Sequence, residues 1–170
     1  MRRKHVIATL VATVAVATGA HFLLSTDVPF SGKANPDITQ ANIQDTICNP
    51  NFRTGTIRPP TNYTNQLKLD QIMQLNYSDT EPSHYEEDHI FALTDGGDPK
   101  DPQNLWPQPY EPRPGAHEKD QVELYVHKQI CSGAETLAQG QNDLLHWKSI
   151  YAKMKNNLGG VVDNSDPDDQ

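Results

Sequence analysis

The chain has only two cysteines in 170 residues, Cys48 and Cys131. They form no C-x-x-C pair, which excludes a zinc knuckle or ribbon. Aromatic residues are scarce at 7%, and hydrophobic residues reach only 35%. The mean hydropathy is −0.70. Such a chain can build one modest core but is not polar enough to be wholly disordered. Positive charge is also in short supply: 14 basic residues stand against 22 acidic ones, a net −8. Without Arg2, Arg3 and Lys4, 11 basic residues face 22 acidic ones, a net −11. That balance argues against a protein that coats nucleic acid by bulk electrostatics, but not against an enzyme with one small, locally basic or metal-neutralised site. No Gly-rich phosphate loop and no G-x-S-x-G elbow occurs, and His117-Glu118 lacks the second histidine of a metalloprotease helix.

The sequence has one long apolar run. Met1-Arg2-Arg3-Lys4-His5 precedes Val6 to Ala20, with small residues at Thr18-Gly19-Ala20. This is the pattern of a secretory signal. The run continues to Leu24, so residues 1–24 read as a signal peptide or a retained membrane anchor. Both readings export the rest of the chain, and only the anchor makes the membrane a partner. In an oxidising compartment Cys48 and Cys131 are expected to pair rather than remain as two buried thiols. The bond closes a loop of roughly 84 residues, worth about 4.5 kcal/mol in the chain-entropy model.

Residues 25–46 show no apolar period and carry Pro29, Gly32 and Pro36, so they read as a linker. Residues 159–170, with Asp163, Asp166, Asp168 and Asp169, read as a solvated acidic tail. The folded domain is then 47–158. Within it, Thr64 is placed to cap a helix carrying Leu67, Ile72, Met73 and Leu75. Tyr85 to Leu93 has strand character and ends in the turn Thr94-Asp95-Gly96-Gly97. Asn104-Leu105-Trp106 suits a returning strand stopped by Pro107. A helix from 115 to 131 presents Val122, Val126 and Ile130, and Ser132 with Glu135 reads as the capping box of a last helix. The expected fold is α+β: a small β-hairpin packed against helices, with an N-terminal and a C-terminal helix.

The most informative run is Tyr85-Glu86-Glu87-Asp88-His89-Ile90, leading through Leu93 to Gly96-Gly97 and then Asn104-Leu105-Trp106-Pro107. Adjacent strand residues point to opposite faces. A carboxylate suits a hard cation, and an imidazole takes a proton near neutral pH, so Asp88 and His89 together suit hydrolysis. Asn104, on the returning strand, is placed to orient the imidazole or pin the loop.

These residues resemble the HNH, or ββα-metal, endonucleases, and more closely small exported bacterial proteins with that motif. The resemblance extends over Cys48-Asn49-Pro50, Arg58-Pro59-Pro60, Tyr63-Thr64, Leu67-Lys68, Lys119-Asp120, Glu123, His127 and Cys131-Ser132-Gly133. It implies a ββα-metal core in which His89 is the general base that activates water against a phosphodiester. Asp88 then binds a divalent ion, commonly Mg²⁺ (with Zn²⁺, Mn²⁺ or Ni²⁺ as alternatives), and Asn104 supports the site. The implied substrate is DNA, or alternatively RNA.

The helix departs from the common pattern, because Ala116-x-x-Lys119 stands where N-x-x-K is usual. Asp120, Glu123 and His127 fall within roughly a 60° arc, but Asp120 and His127 lie about 10.5 Å apart along the axis. Only adjacent pairs can share an ion. Glu123 with His127 is the first ligand pair and Asp120 with Glu123 the alternative. A third possibility is a polar face held by ion pairs with Lys119 and Lys128. Lys119, Arg113 and Lys128 also read as groups that offset phosphate charge. A non-catalytic envelope scaffold that keeps the fold is the competing reading, favoured by the acidic surface and the missing helix asparagine.

Overall fold

A computed structural model describes residues 25–157. The expected signal peptide or anchor (1–24), residue 158 and the expected acidic tail (159–170) lie outside the described residues. The fold is α+β: a two-stranded antiparallel hairpin and four helices. They are α1 (Thr61–Gln74), β1 (Tyr85–His89), β2 (Leu105–Pro109), α2 (Ala116–Ser132), α3 (Leu137–Leu145) and α4 (Trp147–Asn157). A hairpin alone is not stable in water, and this one gains its core from the helices on either side.

The stripe expected on α2 forms the centre of that core. Val122, Val126 and Ile130 are fully buried against Ile90, Trp106, Leu144, Trp147 and Ile150. Each such side chain contributes roughly 1.5–3 kcal/mol by leaving water. Gly140 lets α3 approach α2 closely, since a Cβ there would lie 2.5 Å from Ile130 Cδ1. The Cys48–Cys131 disulfide is present, with Cα atoms 5.4 Å apart, and ties the segment before α1 to the end of α2. Such a bond belongs to an oxidising, extracytoplasmic environment. No helix among the described residues is long and apolar enough to cross a membrane.

Several local expectations are corrected. Residues 25–46 are irregular but packed: Val28, Ile38 and Ile43 are buried in the core. Asp27 N–H donates to Leu145 O (2.8 Å), and Ala34 bridges Gly97. Single apolar anchors inserted from a segment of bends and turns leave no period to read. Helix α1 starts at Thr61 behind Pro60, whose carbonyl accepts from Tyr63 and Thr64. Proline suits that end of a helix because its fixed φ and missing N–H cost nothing there. Met73 is 76% exposed, and Gln71 and Ile72 are the buried residues of α1.

The first strand ends at His89 rather than Leu93, because Phe91 N–H turns to the Asn104 side chain instead of a partner strand. β2 runs through Pro107 to Pro109, which an edge strand tolerates. Gly133 (φ 77°) closes α2 in the left-handed region, and the next capping box is Thr136 with Gln139, not Ser132 with Glu135. The last helical stretch is two helices, separated at His146, where the chain turns and buries Trp147.

Candidate functional site

β1 carries Glu86 and Asp88 toward α2 and alternates Glu87 to the other face, while His89, the last strand residue, lines the same cleft as Asp88. Opposite Asp88 lies Lys119, with 0% of its side chain exposed. Its Nζ donates to Asp88 Oδ2 (2.7 Å), to the His89 carbonyl (2.8 Å) and to Glu123 Oε1. Burial alone would depress this ammonium, but Asp88 and Glu123 outweigh it and hold its pKa well above the usual lysine value. Lys119 is therefore a buried ion-pair partner, as in the polar-face alternative, and no part of its side chain is open to the phosphate contact also expected.

His89 is 6% exposed. Its Nε2 lies 3.2 Å from the Pro99 carbonyl. A carbonyl only accepts, so Nε2 carries the hydrogen and Nδ1 of the neutral ring keeps its lone pair. Burial lowers the His89 pKa below its ordinary 6.5 and outweighs the Pro99 bond and Asp88, with Arg58 and Lys119 adding to the fall.

Pro99 is held by a loop that Asn104 organises. The fully buried Asn104 amide donates to Phe91 O (3.1 Å) and Asp98 O (2.9 Å), and its Oδ1 accepts from Phe91 N (2.9 Å) and Lys33 N (3.2 Å). Asn104 is thus a positioning residue that pins the loop rather than a group facing a substrate. Asn104→Ala should cost about 2–3 kcal/mol through unpaired buried groups, read as a lower urea midpoint. An unchanged midpoint would contradict this placement.

Asp88, His89, Arg58, Glu86, Asp120 and Glu123 line one open cleft of about 130 Å³. Burial, with repulsion from Asp88 and Asp120, pushes Glu86 up to about 7. Asp120 is raised by burial and Asp88. Burial also raises Glu123 against the pull of Lys119. On the opposite face burial pushes Glu87 up to about 8, and neither of its carboxylate oxygens has a hydrogen-bond partner among the described residues. Native Glu86 and Glu87 therefore hold protons that the unfolded chain releases above pH 4.5, and stability is lost as pH rises through 7 to 8. The melting temperature should fall between about pH 5 and 8, and Glu86→Gln with Glu87→Gln should flatten the fall. A pair of substitutions that leaves the slope unchanged would refute the assignment.

The expected metal pair Glu123 and His127 is not assembled. Glu123 is taken by Lys119, and His127 Nδ1 turns to Thr94 O (3.0 Å) and Asp95 Oδ1 (3.3 Å), outside the cleft lining. The two residues share a helix face as their spacing requires, but the single 3-10 turn at Leu93–Asp95 draws the imidazole away. Among the described residues no three His, Cys, Asp or Glu side chains form a ready-made ligand cage. The side chains of Arg113 and Lys128 also lie outside the cleft lining, and Arg113 pairs with Glu111 (3.4 Å) and Glu118 (3.5 Å).

Two cleft residues carry no assigned role in the sequence reading. Glu86 stands in the informative run as the i−2 strand neighbour of Asp88. Arg58 had only its place in Arg58-Pro59-Pro60, and its exposed guanidinium has no ion-pair partner among the described residues. Buried Asp95, read only as a turn residue, is the partner of His127. No family model, curated protein or solved structure matches this chain.

Proposed function

We propose that this is an exported endonuclease of the HNH type, hydrolysing phosphodiester bonds of DNA or alternatively RNA, with β1, β2 and α2 as its ββα-metal core. The observation that carries the reading is the state of His89. Its hydrogen is committed to Pro99 at Nε2, its pKa is lowered, and the free Nδ1 belongs to a residue lining a cleft with Asp88 and Arg58. Such an imidazole is a ready general base at neutral pH. Nδ1 takes a proton from the water that attacks phosphorus, the bond to the 3′ oxygen breaks, and solvent protonates that oxygen. Arg58 offsets charge on the phosphate. Lys119 and Pro99 keep Asp88 and His89 in place.

The donor chemistry of the cleft suits a hard divalent cation: with the His89 Nδ1 assigned to the base, the remaining donors are carboxylate oxygens, and Glu86 and Asp120 carry raised pKa values that a cation would relieve. Asp88 with Asp120 and Glu86 would hold it, and oxygen-only donors favour Mg²⁺ or Mn²⁺ over Zn²⁺. Bound there, the ion supplies Lewis-acid stabilisation of the phosphate and leaving oxygen.

Incubating supercoiled plasmid with the protein tests the reading. Nicking in Mg²⁺ or Mn²⁺, abolished by EDTA, is expected. No nicking of DNA or RNA under any divalent ion would leave the scaffold reading, which the Lys119-filled ion pair and Ala116 at the usual asparagine position favour. With few cations near the cleft, contact with nucleic acid should involve few phosphates. The slope of log affinity against log salt should be shallower than about −4, and a steeper one would reveal a basic groove elsewhere.

A further inference from the structure

We infer that Lys119 is the resident inner cation of this site: its ammonium fills the seat between Asp88 and Glu123, so a divalent ion is confined to the outer carboxylate oxygens. Glu123 is then a counter-ion to Lys119 and not a metal ligand. The inference rests on the cation part of the reading above, but not on cleavage.

An ammonium has three N–H donors, and all three are used: on Asp88 Oδ2 (2.7 Å), the His89 carbonyl (2.8 Å) and Glu123 Oε1. None of the side chain reaches solvent. A divalent ion entering this seat would have to break three charge-assisted hydrogen bonds and leave the ammonium buried without partners beside a second positive centre. Two cations cannot share two carboxylates at that depth. The outer side is different: the cleft is open, and Glu86 and Asp120 line it beside Asp88. The lysine also ties the helix to the strand that carries the base, because one of its hydrogen bonds ends on the His89 carbonyl. The arrangement thus separates two tasks: Lys119 fixes Asp88 and the backbone of His89, and the outer carboxylates face the cation.

Mn²⁺ titration of the folded protein by calorimetry tests this without any cleavage assay. Glu123→Gln keeps a hydrogen-bond acceptor for Lys119 and should leave the Mn²⁺ affinity of the wild type unchanged, and a wild type that binds no Mn²⁺ would overturn the outer cation site. Lys119→Met frees two carboxylates in the seat and should tighten Mn²⁺ binding about tenfold or more, and adding Glu123→Gln to Lys119→Met should abolish the gain. A wild-type affinity that drops about tenfold on Glu123→Gln would overturn the inference. A folded Lys119→Met that binds Mn²⁺ no better than wild type would do the same. If Lys119→Met does not fold, the Glu123→Gln comparison decides. A nuclease that nicks DNA yet loses Mn²⁺ on Glu123→Gln would keep the proposed function and discard only this inference.

Discussion

Lys119→Met should destabilise the protein by about 3–5 kcal/mol, measured by urea denaturation at neutral pH. Methionine matches the length of the lysine stem, so packing between α2 and β1 changes little. What is lost is the charge that compensates Asp88 and Glu123, together with a donor to the His89 carbonyl. The penalty comes from uncompensated buried charge more than from the intrinsic value of the ion pair, since a buried pair is offset by its own desolvation. Removing the two carboxylates as well, with Asp88→Asn and Glu123→Gln, should therefore restore a large part of the stability. A single substitution costing under about 1 kcal/mol would mean that water reaches the ammonium and that the seat is a surface ion pair. A triple variant as unstable as the single one would shift the effect from charge to packing.

The parts of the fold that were legible before the structure are those with a period or a count. Val122, Val126 and Ile130 recur at helical spacing and are fully buried. The two cysteines of the chain form one disulfide, as expected. The Thr94–Gly97 turn signal stands between two runs that do pair as a hairpin, with Asp88 opposite Trp106. What was not legible depends on partners distant in sequence. Lys119 reads as an ion-pair partner or phosphate contact on a polar helix face, and only the approach of Asp88 from the strand explains its complete burial. His127 keeps the expected face, yet Asp95 decides where its ring points. Residues 25–46 look like a tether because Val28, Ile38 and Ile43 are isolated anchors without a repeat. The same segment supplies Lys33 N–H to Asn104, so part of the support for the His89 loop comes from chain that carried no motif.

His89→Ala should lower phosphodiester cleavage by about 10²–10⁴-fold, the range associated with losing a general base. The fold should survive: the lost side chain makes one ring hydrogen bond, at 3.2 Å to Pro99, while its backbone carbonyl still accepts from Lys119. Wild-type activity should rise with pH, because the base works when deprotonated. Burial places that midpoint below 6.5, and the His89→Ala protein should lack this limb. Linkage has the same sign: a histidine with a lowered native pKa costs stability as pH falls below 6.5, where the unfolded chain takes up the proton. The most direct measurement is the initial rate of supercoiled-plasmid nicking in Mg²⁺, wild type against His89→Ala, followed from acid to neutral pH. The account predicts a wild-type rate about 10²–10⁴-fold higher at neutral pH, with a limb centred below 6.5 that the variant lacks. Equal rates for the two proteins across that range would contradict it.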